Sequence, residues 1–128
     1  MKKNNKHFLV TGGTGFLGSG ICRLLISQGY RVTVFDNNFR GSLNNIKDIK
    51  KKIKFIKGDI RKYSELNKSL KGVDAVIHLA YINGTKYFYT KPILVLEIAI
   101  KGILNVIEAC IKNKVKELYL ASSSEVYQ

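Results

Sequence analysis

Residues 11–18 read TGGTGFLG, four glycines in seven positions directly behind the short apolar run His7, Phe8, Leu9 and Val10. A tight turn from strand to helix asks for backbone angles that a Cβ disfavours, and an anion reaches backbone N–H groups only where no side chain intervenes. Glycine meets both demands. The stretch aligns as Gly13-x-Gly15-x-x-Gly18 or as Gly12-x-x-Gly15-x-x-Gly18, and both registers end on Gly18, where the helix packs against the sheet. Its context is that of a dinucleotide fingerprint, with a strand before it, a helix after it, and Asp36 eighteen residues beyond Gly18 at the end of a second strand. A carboxylate there accepts both hydroxyls of an adenosine ribose and repels a 2′-phosphate, so NAD is expected and NADP is less favoured. Arg40 is near enough to meet a phosphate, but an exposed loop role is expected of it. No Lys follows Gly18, which excludes the G-x-x-x-x-G-K-[ST] phosphate loop.

Outward from this stretch, strands alternate with helices. His7 to Val10 reads as a buried strand, and Phe16 to Gln28 as a helix with Leu17, Ile21, Leu24 and Leu25 at helical spacing, ended by a left-handed Gly29. The β-branched run Arg31 to Phe35 is the second strand; a helical turn near Asn44 to Ile49 and a third strand, Ile53 to Lys57, follow. A short helix is expected over Tyr63 to Leu70, and a strand buried on both faces over Ala75 to Leu79. Tyr81 to Lys91 reads as a loop, Pro92 opens a long helix to about Lys112, and Glu117 to Ala121 is a fifth strand. Right-handed crossovers then give an α/β doubly wound parallel sheet, one domain over residues 1–128, and with the dinucleotide fingerprint a Rossmann-type sheet of order 3-2-1-4-5 is expected.

Composition narrows the function classes. An apolar content of 45% over 128 residues suits one domain with a core. The most apolar region, 92–111, is interrupted by Glu97, Lys101, Asn105 and Glu108, so no membrane span is expected. The N-terminus lacks a cleavage signature, and Cys22 and Cys110 are far apart, which makes the cytoplasm the default compartment. The net charge of +13 invites a nucleic-acid partner. Lysines are nevertheless spread over nearly every segment, only 47–57 is dense in them, and no recognition motif accompanies that cluster; no nucleic acid is expected as a partner. No metal site is expected.

TGGTGFLG, Asp36-Asn37, Gly58-Asp59-Ile60, His78-Leu79-Ala80 and the run Ser122 to Tyr127 resemble, in order and spacing, the extended short-chain dehydrogenase/reductases that act as nucleotide-sugar epimerases and dehydratases. The resemblance covers essentially the whole chain. It implies cofactor contacts from Gly12, Gly15, Phe16, Leu17, Gly18, Asp36 and Asn37, with Asp59 and Ile60 at the adenine edge and Leu79 and Ala80 along the cofactor. It makes Ser123 the active-site hydroxyl and offers Glu125 as a carboxylate base, or as a solvated loop acid. In such enzymes a tyrosinate, its pKa lowered by a Lys, removes a sugar hydroxyl proton while C4 gives hydride to NAD. Epimerase, dehydratase and decarboxylase outcomes all stay open. Two departures stand out: Tyr81 replaces a small residue, and Ala99 replaces an Asn.

The Tyr-x-x-x-Lys pair of that family is expected on a helix after the fifth strand, and the 128 residues hold no such pair there. The one literal match, Tyr87 to Lys91, precedes Ser123 and is expected to be a decoy. The chain therefore resembles the N-terminal part of an enzyme, without the later strands and the C-terminal substrate domain, and inactive alone. The competing possibility is a non-catalytic dinucleotide-binding module. On the 92–112 helix, Glu97, Lys101, Asn105, Glu108 and Lys112 form one polar stripe and apolar residues fill the rest. The surplus apolar face implies either a homodimer through this helix or cover by further elements of one chain.

Overall fold

In the computed structural model, which describes residues 5–123, five strands form one parallel sheet. In chain order they are β1 (His7–Thr11), β2 (Arg31–Asp36), β3 (Ile53–Lys57), β4 (Ala75–His78) and β5 (Glu117–Leu120), arranged β3-β2-β1-β4-β5. β1 is central, with Leu9 opposite Thr33 on one side and Val76 on the other. Because side chains alternate along a strand, Val10 and Val34 enter one core with Cys22, Ile46 and Ile49, while Leu9, Phe35 and Val76 enter the other. The chain winds outward through β2 and β3, then crosses back to β4 beside β1. That reversal opens a crevice at the C-terminal ends of β1 and β4.

Helix α1 (Phe16–Ser27) covers the first core, and α2 (Tyr63–Ser69) lies with the 92–112 helix over the second. The expected inward face of α1 needs correction. Leu17 and Leu24 are 66% and 60% exposed, whereas Gly18, Ser19 and Cys22 are buried. The helix approaches the sheet through small residues, and a Cβ on Gly18 would run into the carbonyl oxygen of Gly12 and lie 2.7 Å from the Gly13 Cα. That close approach leaves Leu17 and Leu24 outside, while Leu25 and Ile26 still pack against the first core.

Three more expectations are adjusted. The 81–91 segment is not all loop, since α3 (Thr85–Thr90) forms within it. The long helix comprises α4 (Pro92–Leu96), a π turn (Glu97–Gly102) and α5 (Ile103–Lys112), the first opened by proline in its first turn. In β4, Ala75 and Val76 are buried but Ile77 and His78 are only partly so, because they approach the open crevice. Gly29 takes the left-handed conformation expected after α1, with φ of +81°.

Candidate functional site

Strand β1 delivers the chain into the glycine turn at the crevice. Gly12 has φ of +70°, and a Cβ on it would lie 2.9 Å from the Ala80 nitrogen and the Leu79 carbonyl carbon, so glycine is required on two counts. The turn is tied to its neighbours by Gly12 N–H donating to Phe35 O at 3.0 Å and Gly15 N–H donating to Gly12 O at 3.1 Å. Gly15 is the N-cap of α1. It offers no side-chain cap, and the first turn carries no acidic residue. Among the described residues, the N-terminal N–H groups of this helix therefore meet no capping side chain.

Beside the turn, Asp36 ends β2 and is buried. Its Oδ2 accepts the Thr14 N–H at 2.9 Å and its Oδ1 accepts the Asn38 N–H at 2.8 Å. Asn38 adopts φ of +59°, a conformation that Asn tolerates. Each oxygen has one protein donor and retains acceptor capacity. Gly58 follows β3, and its N–H donates to Asp36 O at 3.1 Å, which brings Asp59 and Ile60 alongside.

A polar knot joins β1 to β4. The Thr11 Oγ1 accepts the Leu79 N–H at 3.1 Å, shared with the Thr11 carbonyl oxygen, and the Ala80 N–H at 3.2 Å. With both lone pairs engaged, its one proton goes to His78 Nδ1, 2.7 Å away. His78 consequently carries its own proton on Nε2 and is neutral. Burial pushes its pKa down to about 4, consistent with that assignment.

These elements enclose one cavity of about 110 Å³. Of the residues singled out in the sequence, Gly12, Gly15, Asp36, Asn37, Asp59, Ile60, Leu79 and Ala80 all line it. Phe16 and Leu17 are exposed, and their side chains do not contribute to that lining. Ser123 is exposed beyond the end of β5, and Glu125 lies outside the described residues.

Several contacts at the cavity were not foreseen. The Arg40 guanidinium donates to Asn83 O and lies 5.4 Å from the Tyr87 ring centroid; Phe39 packs against the same ring at 5.8 Å. Lys91 lies 5.8 Å from the Phe39 ring centroid. Tyr87 and Lys91 thus both meet Phe39 in a clasp that joins the loop after β2 to α3. Asp59 is engaged by Arg61, whose guanidinium holds the carboxyl below the usual carboxylate range. From the long helix, Asn105 Nδ2 donates to Ile60 O at 2.8 Å, and Gly102 leaves room for the Ile60 side chain. A glycine within an apolar helix was the available sign of that approach. Among the described residues, no group of three or more His, Cys, Asp or Glu could hold a metal, and no helix is long and apolar enough to cross a membrane.

Comparison with known proteins agrees with this architecture. UDP-N-acetyl-alpha-D-glucosaminuronate decarboxylase of Bacillus cytotoxicus is 34% identical over 122 residues, covering 95% of this chain and 38% of that protein. UDP-glucose-4-epimerase from Stenotrophomonas maltophila, solved with bound NAD and formylated UDP-arabinopyranose, superposes with a TM-score of 0.90 at 26% identity, covering 96% of this chain and 38% of that one. UDP-N-acetylglucosamine 4-epimerase from Methanobrevibacter ruminantium, in complex with UDP-N-acetylmuramic acid, gives 0.88 at 34% identity, with coverage of 97% and 40%. The chain thus spans under half the length of each of these relatives. Residues 8–128 match the model of the NAD dependent epimerase/dehydratase family, and the chain belongs to that family.

Proposed function

We propose that this chain is the NAD-binding, N-terminal part of a nucleotide-sugar epimerase or dehydratase. The observation that carries the proposal is the pairing of Gly15 with Asp36 across one cavity. A Cβ on Gly15 would touch only the Gly12 carbonyl oxygen, at 3.2 Å. Within the chain a side chain there would meet that one backbone atom and nothing else, and the space on the cavity side serves a ligand. The backbone N–H groups of Phe16, Leu17 and Gly18 at the start of α1 suit a pyrophosphate. Asp36 offers one acceptor position per oxygen to the two ribose hydroxyls, and its charge opposes a 2′-phosphate. Asn37, Asp59 and Ile60 frame the adenine, and Leu79 and Ala80 run beside the rest of the dinucleotide.

When bound, NAD supplies hydride acceptance and return at sugar C4, passing through a transient keto sugar. The Ser123 hydroxyl, just past β5, holds the C4 oxygen as it becomes a ketone. Glu125 is the carboxylate available for proton abstraction in the dehydratase or decarboxylase variants. A Tyr-x-x-x-Lys pair beyond Ser123 is needed to remove the hydroxyl proton. The 128 residues hold none there, so cofactor binding without turnover is expected of them alone.

Calorimetric titration with NAD and NADP tests the assignment. NAD should bind the unmutated chain more tightly, and Asp36→Ala should weaken NAD about tenfold, the equivalent of ~1.4 kcal/mol, while narrowing the gap to NADP. A preference for NADP in the unmutated chain would overturn the role of Asp36. Binding of neither dinucleotide would overturn the proposal itself.

A further inference from the structure

Arg61 follows Asp59 by two residues, in the turn between β3 and α2. Its backbone N–H donates to Asp59 Oδ1 at 2.9 Å, its Nε reaches both carboxylate oxygens at 3.1 and 3.2 Å, and its Nη2 donates to Oδ2 at 2.7 Å. The other arm, Nη1, donates to Glu97 Oε2 at 2.9 Å, on the π turn of the long helix. Asp59 lines the cavity and Arg61 does not. The guanidinium therefore stands behind the carboxylate and acts on the cavity only through it.

We infer that Arg61 is a positioning residue for adenine recognition, fixing the Asp59 carboxylate as an oriented acceptor for the adenine N6 amine. The inference rests on the dinucleotide function proposed above. A carboxylate turns freely about its terminal torsion, and its four acceptor positions are otherwise equivalent. Arg61 engages both oxygens, Oδ1 through its N–H and Nε and Oδ2 through Nη2 and the shared Nε, which fixes the plane of the carboxylate at the cavity edge, where the Asn37 amide also hydrogen-bonds this group. A planar fork imposes this orientation; a point charge such as an ammonium would not. The two ends of the bridge differ in weight. The Asp59 side chain is only 16% exposed, whereas that of Glu97 is 50% exposed, so solvent screens the outer contact and the inner one sets the geometry.

The adenine N6 amine donates to such an acceptor, whereas hypoxanthine presents a carbonyl oxygen at the same position and is repelled. Binding of NAD and of nicotinamide hypoxanthine dinucleotide should be compared in the unmutated chain, Arg61→Gln, Arg61→Lys and Glu97→Gln. The unmutated chain and Glu97→Gln should favour NAD by about tenfold or more, one hydrogen bond to a charged acceptor. In Arg61→Gln that preference should fall to within about threefold, and Arg61→Lys should restore it only in part. A melting curve for each variant separates loss of folding from loss of discrimination, and Arg61→Lys retains the charge if Arg61→Gln does not fold. Equal weakening of both dinucleotides with the ratio intact in folded Arg61→Gln or Arg61→Lys would mean that Arg61 merely supports the fold, and would overturn the inference. Failure of the unmutated chain to bind NAD would instead overturn the underlying function, and this inference with it.

Discussion

The knot of Thr11, His78, Leu79 and Ala80 makes acid sensitivity calculable. Protonating His78 puts a hydrogen on Nδ1, facing a Thr11 oxygen that already accepts two backbone N–H groups and loses the acceptor for its own proton. The folded-state pKa of about 4 lies below the ordinary value of 6.5. Between those limits the unfolded chain binds the extra proton and the folded chain does not, so stability is full above pH 6.5 and is lost as pH falls through 4. Over the whole window the loss amounts to about 3 kcal/mol, of which about 2 kcal/mol falls between pH 7.5 and pH 5. The pKa of His7 is also lowered, chiefly by burial, and acts in the same direction. The His78 share is therefore best measured as a difference. His78→Asn retains an oxygen that can accept the Thr11 proton but does not titrate. In urea unfolding followed by circular dichroism at pH 7.5 and pH 5, the unmutated chain should lose about 2 kcal/mol more than His78→Asn. Equal losses in the two proteins would refute the neutral His78 assignment and the hydrogen-bond order built on it.

Two further outcomes follow from the contacts around the cavity and from the long helix. Arg40 and Phe39 line the cavity, and the Arg40 clasp on Asn83 and Tyr87 stands at its edge, where a dinucleotide meets it on entering and leaving. Arg40→Ala should raise both the association and dissociation rates of NAD several-fold in stopped-flow fluorescence, and unchanged rates would remove the clasp from the binding path. Along the long helix, Ile93, Leu96, Ile100, Leu104 and Ile111 are each more than half exposed and lie on one stripe. Sedimentation should show concentration-dependent self-association that Ile100→Glu with Leu104→Glu abolishes; a monomer at all concentrations would refute a self-association role for this face.

What was legible in the sequence is what short-range geometry dictates. Gly12 and Gly18 announce themselves because backbone angle or close approach excludes other residues, Gly15 completes the spacing between them, and Asp36 follows at the separation set by one helix and one strand. Alternating elements and crossover handedness give a parallel doubly wound sheet, and the glycine fingerprint singles out the order β3-β2-β1-β4-β5 among such sheets. The inward face of α1 is only partly legible from periodicity, which finds large apolar residues, because this helix buries Gly18, Ser19 and Cys22 and adds only Leu25 and Ile26 to the core from its larger side chains. The Thr11 to His78 contact and the Arg40 to Asn83 contact join residues far apart in sequence and depend on strand register and loop path. Arg61 was within reach, since an Arg two residues after an Asp in a turn is a local pattern, but its second partner, Glu97, lies 36 residues further on.

The 92–112 helix unites these observations because its sides perform different tasks. Val95, Ile98, Val106 and Ala109 face the second core, which anchors the helix to β1 and β4 through Leu9 and Val76. The polar stripe makes two contacts back to the rest of the molecule, an exposed one from Glu97 to Arg61 and a part-buried one from Asn105 to the Ile60 carbonyl. Gly102 adds a third point of approach, against the Ile60 side chain. All three contacts bear on the Asp59 to Arg61 turn. A displacement of the helix would therefore reach the candidate adenine site before it reached the glycine turn, which is fixed independently by β1, β2 and α1. Only the outer apolar stripe remains without a task in the described fold, and it runs along the back of the element that braces the cavity.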